Sequence, residues 1–300
     1  MAKEATKKAP QTAAQIRNQR INRRARLRAA IQLGFFVTMP GAFVAGFSGV
    51  KYLFQWIGAG EVIQFNSFVK ALIGLVVFTI LFGRYFCGYA CAFGSLGDFV
   101  YWLSGLAQKK LFHRRNTVRF PEKAVRWLQK LKYLNLAFIV ILCALGVYGQ
   151  LSGTSPWDVF SRVTALQTVP NGYGWGILFF VVILVGMVLQ ERFFCQFLCP
   201  MGAVFSILPI LPWGMLRRNS EQCVAGCHVC ANQCPARLTL ETDGMRNGEC
   251  LACEKCVPAC PRGNIRHVEQ NVLSNEFIPV VVKAALFFIL GVYLGFCRFF

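Results

Sequence analysis

The sequence predicts an all-α polytopic membrane protein of about five transmembrane helices. It is built on an internal two-span repeat, with one small α+β lobe between the fourth and fifth spans. Three observations carry this. Apolar stretches of roughly 20 residues, the length that crosses a bilayer, recur along the chain. Lys and Arg gather in alternate connections between those stretches. Eight of the 14 cysteines fall between Cys223 and Pro261, a compact run before the last apolar stretch.

Composition narrows the class. At 55% hydrophobic, 15% charged and mean hydropathy +0.47, the 300-residue chain is too apolar for an ordinary soluble protein. Its net charge of +19, from 32 Lys+Arg against 13 Asp+Glu, suits either nucleic-acid binding or basic loops on the inner side of a membrane. Position decides. The basic clusters sit between apolar stretches, so the charge reports topology and no nucleic-acid partner is expected.

Residues 1–30 form a basic tail in which Glu4 alone opposes Lys3, Lys7, Lys8, Arg17, Arg20, Arg23, Arg24, Arg26 and Arg28. It reads either as an amphipathic helix or as a disordered segment, and it is a poor match to a cleavable signal peptide. Ile31 to about Val50 is the first span, with a kink predicted at Pro40-Gly41 and small residues Gly41, Ala42, Ala45 and Gly46 spaced for close helix contact. Residues 51–67 read as a connection, with Tyr52 and Trp56 placed for an interfacial belt. Phe68–Phe86 is the second span, 105–132 a basic loop, Tyr133–Leu151 the third span and Tyr173–Leu189 the fourth. The loop 152–172 carries only Arg162 and Asp158. Phe277 to about Phe296 is the fifth span, interrupted at its start by Pro279 and Lys283. Four spans therefore occupy 31–215, the lobe 216–270 and the last helix 277–300. Nearly all Lys and Arg lie in the N-terminus, in 105–132 and in 190–276, so these face the cytoplasm and the C-terminus lies outside.

The lobe contains Cys250-x2-Cys253-x2-Cys256-x3-Cys260-Pro261 and, before it, Cys223-x3-Cys227-x2-Cys230-x3-Cys234-Pro235, one residue longer at its first gap. In the bacterial ferredoxin pattern three close thiolates serve one 4Fe–4S cube and the fourth cysteine serves the neighbouring cube. Crossing the runs gives two cluster sites: Cys223, Cys227, Cys230 and Cys260, and Cys250, Cys253, Cys256 and Cys234. The lobe is thus expected to be a two-cluster, ferredoxin-like unit. Zinc also accepts four thiolates, but its sites ordinarily pair two C-x2-C units across a long loop. A disulfide framework belongs to small secreted domains, and available thiols suit the cytoplasmic side.

A second cysteine constellation lies in the repeat. Arg84-Tyr-Phe-Cys87-Gly-Tyr-Ala-Cys91-Ala-Phe-Gly94 aligns with Arg192-Phe-Phe-Cys195-Gln-Phe-Leu-Cys199-Pro-Met-Gly202. Each copy ends a two-span hairpin, so an axis along the membrane normal relates the copies and brings both C-x3-C pairs to one face. Cys87, Cys91, Cys195 and Cys199, with i and i+4 on one helical side, suit a further cluster or thiophilic metal, or redox-active pairs. Simple packing of small apolar thiols is the alternative. Arg84, Arg192 and Glu191 fall at the inner boundary, where arginine ordinarily anchors by snorkelling. A quinone headgroup would need donors at this depth, for which these three and Asp98 are the candidates. Cys143 reads as core packing, Cys297 has no assigned role, and His113, His228 and His267 read as solvated.

On these motifs the chain resembles the NapH/NosR/MauN-type membrane polyferredoxins over roughly residues 30–270. It departs at Ala92, where that family usually has proline after the second cysteine; Pro200 keeps it in the second copy. The resemblance implies electron transfer between the quinol pool, or a cytoplasmic donor, and an extracytoplasmic redox partner, flavin-carrying in some relatives. It also implies a prokaryotic cytoplasmic membrane and a subunit of a larger quinol-oxidising complex. The competing reading is a maturation or sensory protein whose clusters serve metal reduction or redox sensing. Fast quinol-dependent cluster reduction separates the two.

Overall fold

The computed structural model describes residues 12–113, 120–211, 214, 216–219, 221–236, 238, 248–267 and 277–297. Lys3, Glu4, Lys7 and Lys8 of the basic tail, Arg114, Arg115 and Arg119 of the basic loop, and the side chain of His267 lie outside the described residues.

Helix α1 spans Ala13–Thr38. Thr12 starts it with a capping box: its hydroxyl accepts from the Gln15 N–H while the Gln15 side chain accepts from the Thr12 N–H. Most of the segment 13–30 is therefore not a separate tail but the first half of a helix that runs into the apolar sequence. Arg24, Arg28 and Gln32 recur at intervals of four and are all buried, so one basic-polar stripe faces inward. The expected kink occurs where Met39–Gly41 break the helix, and α2 (Ala42–Ala59) leaves at 62°. Helix α2 continues nine residues into what reads as a connection from sequence, and stops at Gly60, whose φ of 70° forms a left-handed cap.

Helix α3 (Ser67–Phe82) starts at Asn66, whose side chain accepts from Val69 N–H. It packs on α2, with Gly49 lying against the Phe68 carbonyl. A π-turn, Phe86–Ala90, follows, then α4 (Ala92–Phe112), α5 (Glu122–Leu128) and α6 (Leu131–Ala144). Much of the basic loop is thus helical, a consequence hidden by its charge. A 3₁₀ segment, Tyr148–Thr154, precedes α7 (Pro156–Thr164), which the turn-rich loop also concealed. Ser155 caps α7 and Pro156 opens it, a position where proline's missing N–H costs nothing. Helix α8 (Gly174–Leu189) packs on α4 and α7, and α9 (Phe193–Phe197) and α10 (Pro200–Ile207) follow.

The lobe has β1 (Leu216–Arg218) paired antiparallel with β2 (Ile265–His267), and two short helices, α11 (Val229–Gln233) and α12 (Cys256–Ala259). Its own small core gathers Leu216, Ala236, Leu238, Val257 and Ile265 beside the cysteines. Helix α13 (Ile278–Tyr293) closes the chain and rests on α3 and the π-turn. Pro279 does not interrupt it, because it occupies the first turn; Lys283 is buried, with its ammonium 5.9 Å from the Phe82 ring centroid.

The fold is mainly helical, with a single two-stranded sheet among the described residues. Among the described residues one helical segment, Lys123–Ala144, is long and apolar enough to cross a bilayer, and the bent α1–α2 pair makes a second if counted as one span. Helices α3, α8 and α13 are apolar but 16 residues each, about 24 Å long at 1.5 Å per residue. Their outward faces carry Ile73, Val77, Val182, Val185, Val282 and Ile289, all exposed.

Candidate functional site

The two copies of the repeat fold to similar backbone turns. Cys91 N–H bonds to the Phe86 carbonyl at 2.8 Å and Cys199 N–H to the Phe194 carbonyl at 2.9 Å, the same five-residue step in each copy. Cys91 and Cys199 then cap the following helices with near-identical dihedrals, φ −69°, ψ 116° and φ −71°, ψ 113°. Ala92 takes the place of proline without altering this. The expected i, i+4 helical face gives way to this tighter geometry: Cys87 lies in a π-turn, Cys195 in a single helical turn, and each second cysteine is a cap. All four thiols are buried in one core, close enough that the charge state of each bears on the others.

The motif arginines explain how the copies lock together. Arg84 and Arg192 are each 1% exposed, so neither snorkels to an interface. Arg192, from the second copy, lies across Gly94 of the first; Arg84, from the first, lies across Gly202 of the second, where an added Cβ would sit 3.1 Å from its Nη2. A side chain at either glycine would displace the guanidinium, which is why Arg and Gly recur together. Arg192 grips Asp98 bidentately, Nε to Oδ1 at 2.8 Å and Nη2 to Oδ2 at 2.6 Å. It also donates to the Cys87 and Gly88 carbonyls of the other copy. Arg28 and Gln32 of α1 donate to the same Asp98 carboxylate. Arg84 donates to the Gly248 carbonyl at 2.8 Å and approaches Glu249 at 4.0 Å; Lys132 pairs with Glu249, whose other oxygen accepts from Tyr133 at 2.9 Å. Glu191 pairs with Lys255. The four residues expected to serve a quinone headgroup all have partners within the protein, as buried charges require.

The lobe sits on this core. The Cys250–Cys256 loop lies over the π-turn, so that a Cβ at Gly88 would meet the Leu251 carbonyl at 2.7 Å and the Ala252 carbonyl at 2.9 Å. Its tight x2 spacing forces Ala252 and Glu254 into the left-handed region at φ 47° and 54°. Glu254 is held there by a buried ion pair with Arg24 at 2.8 Å. Arg84 bears electrostatically on Cys250, and Arg192 on Cys253, as well as on thiols of the repeat quartet. Both guanidiniums therefore lie between two sets of thiols.

Cys223, Cys227, Cys230 and Cys260 line one cavity together with Arg218 and Asn264. The extra residue of the first run is absorbed where Cys227 N–H turns back to the Val224 carbonyl, with Gly226 at φ 70°. Arg218 Nε donates to Cys223 Sγ at 3.1 Å and Asn264 N–H to Cys260 Sγ at 3.4 Å. Cys234, Cys250, Cys253 and Cys256 form the other mutually interacting set. Burial pushes the Cys250 thiol up to about 11 and the Cys234 thiol up to about 12; Cys256 and Cys230 are raised for the same reason. Arg218 is raised by its bond to Cys223.

The donor sets fit iron–sulfur clusters. A cube takes one thiolate per iron corner, and each lobe set supplies four: Cys223, Cys227, Cys230 and Cys260 on one cavity, and Cys234, Cys250, Cys253 and Cys256 within electrostatic reach of one another. N–H groups aimed at Cys223 and Cys260 are the interactions that cluster sulfurs accept. Beside the repeat quartet, Arg84 keeps Nε and Nη2 buried without a hydrogen-bond partner, a positive surface suited to an anionic group. Cys143 packs in the core as expected. Cys297 is buried and His113 exposed. What sequence reasoning missed are Arg24, Arg28, Gln32, Lys132, Glu249 and Glu254. The signals were there: Arg24, Arg28 and Gln32 at intervals of four, and two acids among the cysteines.

The family model described as a 4Fe-4S binding domain matches residues 68–111 and 173–211, the two copies of the repeat. The putative electron transport protein YccM of Escherichia coli (strain K12) is 27% identical over 239 residues, covering 75% of this chain and 63% of that one. The methylamine utilization ferredoxin-type protein MauN of Methylobacillus flagellatus is 30% identical over 173 residues, 55% of this chain and 54% of that one. The ferredoxin-type protein NapH of Escherichia coli (strain K12) is 24% identical over 211 residues, 63% and 65% respectively. The chain thus spans under two thirds of each of these relatives' length. No solved structure matches. Repeat, cysteine runs and relatives agree in their likeness to the NapH/NosR/MauN-type polyferredoxins, and together they support that family for this chain.

Proposed function

We propose that this chain is a membrane-embedded iron–sulfur electron-transfer protein. It passes electrons between the quinol pool, or a cytoplasmic donor, and an extracytoplasmic redox partner. The observation that carries this is the seating of the Cys250–Cys256 loop on the π-turn of the repeat at Gly88, which brings three cysteine quartets into one connected body. Cys223, Cys227, Cys230 and Cys260 would hold a distal 4Fe–4S cluster, and Cys234, Cys250, Cys253 and Cys256 a proximal one. Cys87, Cys91, Cys195 and Cys199 would hold a third.

A 4Fe–4S cluster, when bound, takes up and returns a single electron without moving atoms. The protein's part is positioning and charge. Arg24 fixes the strained proximal loop through Glu254. Arg84 and Arg192 place two positive charges between the proximal and repeat quartets, where net charge and burial set a potential. The buried aromatic packing of Phe93 on Phe194, 4.2 Å between centroids, closes the repeat quartet from water. The exposed apolar faces of α3, α8 and α13 suit lipid, with the basic segments and the lobe on the cytoplasmic side and α13 reaching toward the other.

The test is cluster reduction in purified membranes. Quinol-dependent reduction should be fast, and Cys253→Ala should remove one EPR signal and halt electron flow. Unimpaired flow in that variant sinks the reading.

A further inference from the structure

Arginines crowd the outer wall of the distal thiol cavity. In the two-stranded ribbon Arg217 stands directly opposite Arg266, and Arg218 opposite Ile265. Strand alternation turns Leu216 and Ile265 inward, where they are buried, so Arg217 and Arg266 share the outward face, and both are exposed. Like charges placed directly opposite destabilise a ribbon. Exposed Arg262 lines the cavity beside Cys260, and Arg218 donates to Cys223 within it. Among the described residues no acid forms an ion pair with Arg217, Arg262 or Arg266. Among the described residues of 216–267, Glu249 and Glu254 are bonded to Lys132 and Arg24 on the helical bundle, which leaves Glu221.

A local rule broken on the ribbon that walls a thiol-lined cavity marks a binding face. We propose that this arginine face docks an acidic one-electron carrier protein, which delivers its electron to the distal quartet. The inference rests on that quartet holding a cluster. One electron leaves the carrier's reduced centre and one is gained by this chain; no bond forms or breaks and no proton moves. A lipid surface would also attract arginine. Here, however, Arg218 and Arg262 line an opening onto thiols, with Arg217 and Arg266 on the adjoining ribbon, and such an opening is one a headgroup has no cause to approach and an electron carrier must.

The probe is an acidic plant-type 2Fe–2S ferredoxin with the cluster-loaded full chain in nanodiscs. Two quantities are read: the affinity of the oxidised ferredoxin, with no turnover, and the stopped-flow rate of distal reduction by its reduced form. Arg217→Glu turns a facing like-charge pair into an opposite-charge pair, so slower transfer in this variant cannot come from a weakened ribbon. At low salt the Arg217→Glu, Arg266→Glu double variant should weaken binding and slow reduction by roughly tenfold or more, with iron content and EPR signals retained. In high salt the difference should collapse. Affinity and rate within twofold of the parent at low salt would overturn the proposal. So would an effect seen only in nanodiscs of anionic lipid, which would assign the arginines to the membrane surface. A parent protein whose distal centre dithionite cannot reduce would overturn the cluster reading and this inference together.

Discussion

Gly94→Ala tests the interlocked arginines most sharply, because two effects of opposite sign compete. Gly94 lies inside α4, where alanine is favoured over glycine by about 1 kcal/mol, so the change should stabilise an unconstrained helix. The new Cβ, however, would fall on Arg192 Nη1, closer than real Cβ atoms approach anything. The end of an arginine ordinarily moves aside cheaply. This one cannot, since Nε, Nη1 and Nη2 are all bonded, to Asp98 and to the Cys87 and Gly88 carbonyls. Losing the two carbonyl bonds costs about 1.5–3 kcal/mol each, which after the helix gain leaves a net loss of about 2–5 kcal/mol. Thermal or denaturant unfolding followed by tryptophan fluorescence reads it, with Gly202→Ala as the comparison. There the added Cβ would meet Arg84 Nη2 at 3.1 Å, a nitrogen with no hydrogen bond to lose, so the cost should be well under half as large. Gly94→Ala as stable as the parent, or more so, would refute the interlock.

Other outcomes follow from the same contacts. Glu254→Gln leaves Arg24 buried without its carboxylate and should destabilise the fold by about 3–5 kcal/mol, with loss of the proximal cluster's EPR signal before the others. Gly88→Ala pushes its Cβ against two backbone carbonyls and should separate lobe from bundle. Iron content should then stay near the parent value, while electron transfer between lobe and bundle slows at least tenfold by stopped flow. In cluster-free protein, the raised Cys234 and Cys250 thiols favour the neutral form in the fold. Their contribution to stability is therefore present below about pH 9 and lost as pH rises through about 11 to 12. Melting temperature and iodoacetamide labelling of the apo form against pH should show both, and cluster loading should release protons.

The sequence made the cysteine chemistry legible, because spacing alone encodes it. Cys223 and Cys260 line one cavity, and Cys234 lies within electrostatic reach of Cys250; that each set holds a cluster is the proposal made above. The repeat was legible for the same reason, since Arg, Cys, Cys and Gly recur at fixed offsets. What failed were inferences from average behaviour. Arginines beside apolar helices usually reach for water, yet Arg28, Arg192, Arg24 and Arg84 turn inward, because Asp98, Glu254 and the Gly248–Glu249 pair await them from segments 70 or more residues away. No local pattern announces such long-range pairs. The charge-rich 105–132 segment and the turn-rich 152–172 segment hid parts of α4, α5 and α7, the last of which is started by the Ser155 side-chain cap.

The central claim is that three thiol quartets hold three cubes, and metal analysis of anaerobically purified protein tests it directly. The account predicts about twelve iron and twelve acid-labile sulfide per chain, falling by about four of each in Cys87→Ala. About eight in the parent, unchanged by that substitution, would contradict the third site; zinc without sulfide would contradict the whole.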